Sequence, residues 1–159
     1  MFAFVQFGAR KGLAESAPAA SSASIEPAKD RARRTGIRGE TYAYWYLRRH
    51  GYTLVARNYA FPGFKGEIDI VGYDGPVLAF VEVKTRSMPP PKTSAIAQPS
   101  PEEAVDPEKR RNLLRTARQF LRIRRIESAA HRFDVLAIET REGEPPAVRL
   151  HKGAFGSPT

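Results

Sequence analysis

Gly66-Glu67-Ile68-Asp69-Ile70-Val71-Gly72-Tyr73-Asp74-Gly75-Pro76-Val77-Leu78-Ala79-Phe80-Val81-Glu82-Val83-Lys84 reads as two β-strands joined by a tight turn. β-Branched and aromatic residues fill 66–72 and 77–85, and Tyr73-Asp74-Gly75-Pro76 carries the turn chemistry between them. Side chains alternate faces along a strand, so Glu67 and Asp69 are expected on one side and Ile68 and Ile70 on the other. In the second strand Phe80, Glu82 and Lys84 share a face opposite Val77, Ala79, Val81 and Val83. A two-residue turn at Asp74-Gly75 sets Asp69 opposite Phe80, and one at Gly75-Pro76 sets it opposite Glu82. Both registers put Asp69, Glu82 and Lys84 on the same side; only a slip by an odd number of residues would part them.

Outward from this hairpin, residues 36–50 carry helical spacing closed by Gly51, and residues 52–60 read as a further strand. Downstream, residues 102–125 predict a long helix with a break near Pro107, followed by strands over 132–139 and 147–151. Helix, three strands, helix, two strands is an α/β or α+β pattern with a mixed β-sheet flanked by helices. Residues 1–34, rich in Ala, Ser and charge, read as a disordered N-terminal extension; Glu15, Glu26 and Asp30 argue against a transit peptide. The domain is expected over 35–155, with a mobile proline-rich loop at 87–107 and a short C-terminal tail at 156–159.

A chain of 159 residues, 42% hydrophobic, is sized for one core. Its formal net charge of +9 attracts polyanions, with nucleic acid the first candidate partner and anionic membrane surface the second. No apolar run reaches the roughly 20 residues of a membrane span, and Phe2 to Phe7 is too short for a signal-peptide core, so a cytoplasmic location is expected. The absence of cysteine excludes disulfides and thiolate metal sites, leaving carboxylates or the three histidines as metal donors. A hard, oxygen-bound cation suits that inventory.

Asp69 and Glu82 converging beside Lys84 on a mostly buried hairpin need a counter-charge, because unpaired buried charge is costly. Mg²⁺, bound by one or two carboxylates plus water and phosphate, would supply it, and Lys84 could orient or help deprotonate an attacking water. The competing reading is a cross-strand salt bridge. Glu67 reads as a hydrogen-bonding or solvated residue at the strand start rather than a ligand. In the first helix Gly36, Glu40, Ala43 and Leu47 fall on one narrow face with Tyr44 beside them, which aims Glu40 into the protein; an N-terminal surface role is the alternative. In the second, Arg111, Arg115, Arg118, Arg122 and Arg125 form a basic stripe about 20 Å long, suited to a phosphate backbone or simply solvated. Lys109 falls on the inner side, where it either approaches the site or snorkels. His50, His131 and His151 lack zinc-site spacing.

These residues resemble the PD-(D/E)XK nuclease superfamily, with Asp69, Glu82 and Lys84 at the motif positions and Glu40 on the preceding helix. More closely, the chain looks like the YraN family of uncharacterised nuclease-like proteins, itself similar to archaeal Holliday junction resolvases. The matching stretches are Gly36-x-x-Gly39-Glu40, Arg57-Asn58-Tyr59, Gly66-Glu67-Ile68-Asp69, Phe80-Val81-Glu82-Val83-Lys84-Thr85-Arg86 and Arg132-Phe133-Asp134-Val135. The resemblance implies a restriction-endonuclease-like fold and Mg²⁺- or Mn²⁺-dependent cleavage of DNA, branched or damaged DNA included. It also implies Asp69, Glu82, Val83 and Glu40 as the metal-binding positions. A homodimer would present two sites to two strands. The N-terminal extension and the long 87–107 loop depart from the family pattern, so junction specificity does not carry over. A non-catalytic nucleic-acid-binding or adaptor protein on the same fold is the second reading, and a structural partner of envelope machinery the third.

Overall fold

The computed structural model describes residues 28–88 and 105–156. Helix α1 (Ala28–Arg49) leads into strands β1 (Thr53–Ala60), β2 (Glu67–Asp74) and β3 (Val77–Ser87). Helix α2 (Pro107–Arg124) then carries the chain to β4 (His131–Thr140) and β5 (Ala147–Phe155). The five strands lie in sequence order in one sheet, antiparallel except where β3 and β4 run parallel across the α2 crossover. This is an α+β fold with a mixed sheet, and no described helix is long and apolar enough to cross a membrane.

The β2–β3 hairpin closes through Gly75-Pro76, with Asp74 paired to Val77 and Ile70 to Val81. Gly75 has φ 58°, and the following proline is held at negative φ, the pattern of a type II′ turn matched to strand twist. Of the two registers the sequence allows, this is the one that brings Asp69 level with Glu82.

Strand alternation then builds two cores. Leu78 and Phe80 of β3 pack with Phe133 and Val135 of β4 under Leu113, Ala117 and Phe120 of α2. Ala79 and Val81 pack with Leu136 and Ile138 under Ala43 and Leu47 of α1. Each helix therefore covers one face of the sheet, and each is held mainly by its buried apolar stripe.

Four features differ from the sequence reading. Helix α1 begins at Ala28, so residues 28–34 are helical rather than part of a disordered extension. Ala, Lys and Arg are strong helix formers, and Asp30 in the first turn complements the macrodipole, so this exposed turn stands on propensity and charge. Helix α2 begins at Pro107, not Glu102. Asp106 caps it by accepting from the Lys109 backbone N–H at 2.9 Å, proline fits its first position, and Val105 just before is buried in the α2 core. The last residues of the 87–107 segment are thus docked, while residues 89–104, like residues 1–27 and 157–159, lie outside the described residues. Arg125 is the C-cap, in a left-handed conformation at φ 56°, so the fifth arginine of the α2 stripe has left the helix. Finally, Ile68 packs in the α2 core and Ile70 in the α1 core, although a regular strand would put both on one face. Strand β2 loses β3 beyond Ile70 and follows β1 alone, where Asn58, between the paired residues Arg57 and Tyr59, has φ 47°.

A carboxylate site at the fork of the sheet

That divergence creates the site. Beyond the Ile70–Val81 pair, β2 continues against β1 while β3 continues against β4 as far as Ser87, so the sheet forks. Asp69 stands at the fork, and its Oδ2 accepts the Val83 backbone N–H at 2.7 Å, replacing the carbonyl that a continued ladder would have offered. Glu82 comes from the other prong. Both are buried, Asp69 7% and Glu82 3% exposed, which is unusual for acids in an apolar sheet.

Counter-charge arrives unevenly. Lys84 Nζ lies 3.0 Å and Lys109 Nζ 3.2 Å from the same oxygen, Glu82 Oε1. Glu82 Oε2 is buried with no hydrogen-bond partner among the described residues. Burial, then the Glu82 charge, pushes the Asp69 carboxyl up to about 7, against the Val83 hydrogen bond and Lys109, which pull it down. Burial works against the Lys109 charge, yet Glu82 and Asp69 outweigh it and raise its pKa.

Glu40 reaches the fork from the α1 side. Its neighbour Gly39 is buried against Thr85 of β3, where a Cβ would overlap Thr85 Oγ1, so only glycine lets the helix backbone sit this close. Glu40 lines a cavity of about 490 Å³ together with Val83, Lys84 and Thr85, and its charge contributes to raising Asp69. Asn58 Nδ2 donates to Glu40 Oε2 at 3.1 Å.

The structure therefore brings Asp69, Glu82, Lys84 and Val83 together and sets Glu40 at the mouth. Among the described residues, however, no three acidic or histidine side chains are gathered tightly enough to form a ready metal cage. Lys109, left undecided between site and surface by the helix phase, belongs to the site. Asn58 was missed as a contributor; its signal was an asparagine inside a strand, a residue that tolerates the left-handed conformation. Glu67 is exposed, as expected of a solvated strand start. His50 Nδ1 is 2.8 Å from the Tyr46 carbonyl and His131 Nδ1 is 3.0 Å from that of Ala129, neither near the fork acids in sequence or contact. Arg111, Arg115, Arg118, Arg122 and Arg125 are all exposed, with Arg115 lying over the Phe64 ring.

Fold and site together define a class: an α+β protein with a mixed sheet whose strands fork around two buried carboxylates and two lysines. The sequence model of Uncharacterised protein family UPF0102 matches residues 39–138, which contain every one of those groups. Relatives agree: a UPF0102 protein of Koribacter versatilis is 43% identical over 82% of this chain and 85% of its own length. One from Solibacter usitatus is 44% identical over 74% and 82%, and one from Chlorobium phaeobacteroides 34% over 73% and 84%. The chain belongs to UPF0102, the YraN family.

Proposed function

We propose that this protein is a divalent-metal-dependent endonuclease acting on DNA, with its reaction centre at the fork. The observation that carries the reading is the pair Asp69 and Glu82, buried together with one oxygen unpartnered and one carboxyl pushed up to about 7. Two such carboxylates are a donor set that Mg²⁺ or Mn²⁺ fits, since these ions take one or two carboxylates and fill the rest with water and phosphate oxygen. Asp69 and Glu82 would hold the ion, with the Val83 backbone between prongs and Glu40 at the mouth as further oxygen donors. When bound, it would stabilise charge at the phosphorus and activate water.

The chain's own groups supply the rest. Lys84 pairs with Glu82 and lines the cavity that Glu40 also lines, and it would hold a water against a phosphodiester entering there. Lys109, from the first turn of α2, adds positive potential at the same Glu82 oxygen. The basic surface, including the α2 arginines, favours a polyanionic substrate.

A non-catalytic nucleic-acid-binding protein is the second reading, and the lysines already seated on Glu82 Oε1 favour it. A cleavage panel of duplex, single-stranded, flapped and four-way DNA with Mg²⁺ or Mn²⁺ separates the two. Metal-dependent nicking that disappears in Asp69→Ala, with fold and DNA binding intact, supports the enzyme. DNA binding without cutting on any substrate leaves the binding protein.

A further inference from the structure

Helix α1 carries a second feature that the fork does not use. Arg38, Tyr42, Trp45 and Arg49 follow the spacing i, i+4, i+7, i+11, one stripe of the helix, on a side away from buried Ala43 and Leu47. Trp45 is 53% and Tyr42 42% exposed, beside Ile37 at 53%. Arg48 holds its guanidinium 5.5 Å from the Trp45 ring centre. Aromatic rings left half in water between arginines are not what a solvated helix face requires.

This stripe is connected to the reaction centre. The cavity containing Glu40 and Lys84 shares Thr35, Thr85 and Ser87 with a second one of about 380 Å³. That second cavity shares Arg38 and Tyr42 with a third, of about 540 Å³, which ends at Trp45 and Arg49. Three successive concavities thus lead from the fork over α1 to the exposed rings.

We propose that this track is the path of an unpaired DNA strand, with bases stacked on Tyr42 and Trp45 and phosphates held by Arg38 and Arg49. The inference rests on the nucleic-acid reading above and names its substrate class: DNA that presents a single-stranded segment next to the scissile bond. Stacking on a protein ring needs a free π-face, which paired bases deny and unpaired ones offer. The arginines match the strand's charge, and the +9 chain repels a basic partner. The stripe from residue 38 to 49 spans about 17 Å, enough for several stacked bases.

Trp45 is the chain's sole tryptophan, so its fluorescence reports on this place alone. The test titrates full-length Asp69→Asn protein with a short oligothymidylate and with blunt duplex, following Trp45 emission and, in parallel, anisotropy of labelled DNA. The expected result is quenching by the single strand, tighter binding of it than of duplex, and about tenfold weaker single-strand binding in Tyr42→Ala and in Trp45→Ala, with Trp45→Phe largely restored. Both positions are exposed, and a thermal melt checks that the variants fold. Single-strand binding with unmoved Trp45 emission overturns the proposal, as does a preference for blunt duplex. Self-association that disappears in Trp45→Ala also overturns it, since the stripe would then be an interface between copies. Metal-dependent cutting without quenching removes the track but leaves the nuclease reading; quenching without cutting upholds the track and removes the nuclease.

Discussion

The sheet holds two charged clusters, one at each end, and they are built from the same residue types to opposite effect. At the end away from the fork, Arg132 donates through Nε to both oxygens of Asp134, at 2.9 and 3.1 Å, and through a terminal nitrogen to Asp74 at 2.6 Å and Tyr52 at 3.0 Å. Asp134, fully buried, also accepts the Gly153 backbone N–H at 2.9 Å, and Lys152 adds 2.7 Å to Asp74. The Lys152 and Arg132 hydrogen bonds hold the Asp74 carboxyl below its usual range. At the fork there are again two cations for two acids, here Lys84 and Lys109, yet both sit on one oxygen of Glu82, and Asp69 receives a single backbone N–H. The two clusters differ less in charge count than in how their donors are distributed over their acceptors: evenly at the Arg132 end, onto one oxygen at the fork.

The strongest way to break this contrast is to neutralise one acid at each end. Asp134→Asn leaves Arg132 short of its partner inside the sheet and should cost about 3–5 kcal/mol, read as a lower chemical-denaturation midpoint. Asp69→Asn removes a repulsion with Glu82 and should leave the metal-free midpoint unchanged or raise it. Equal losses at both positions would make the fork another structural clamp.

Opposite pH responses sharpen it next. Asp69 has its folded pKa raised from 3.8 to about 7, so its contribution to stability is fully present below about pH 4 and is lost as pH rises through 7. Asp74 is depressed, so its contribution is present above 3.8 and is lost as pH falls through its lower folded value. Metal-free protein should therefore lose stability progressively from about pH 4 to about pH 7 and level off above it, the loss should vanish in Asp69→Asn, and Mg²⁺ should restore wild-type stability above pH 7.

Asn58 offers a smaller effect with two separable parts. Asn58→Ala should weaken metal-dependent cutting roughly tenfold by releasing Glu40, and should also strain the left-handed backbone. Asn58→Gly should relieve the strain without recovering the activity. Full activity in the glycine variant would show that Glu40 needs no partner.

The least effect is expected from the α2 stripe. Replacing Arg115 and Arg118 with glutamine should weaken duplex binding and lower the log–log salt slope by about 0.9 for each phosphate no longer neutralised. An unchanged slope would mark the stripe as a solvated face.

Local periodicity made much of this legible in advance. Alternation along 77–85 foretold the two faces of β3, and helix phase foretold that Ala43 and Leu47 would be buried with Glu40 beside them, because both follow from backbone geometry alone. The same reasoning failed at Ile68 and Ile70, since it assumes a strand paired regularly throughout. It also ran the helix through residues 105 and 106, where a buried valine and the Asp106 cap precede α2 instead.

The amino-acid order by itself determined the α+β element order, the hairpin and its even register, and the convergence of Asp69, Glu82 and Lys84, because these depend on residues within a few turns or strand steps of one another. Only the tertiary structure decided that the turn falls at Gly75-Pro76, that the sheet forks at Asp69, that Lys109 comes from α2 to within 3.2 Å of Glu82, and that Asn58 holds Glu40. Those outcomes join elements tens of residues apart. Their distances are set by how two helices pack on the two faces of one twisted sheet, which no local period encodes.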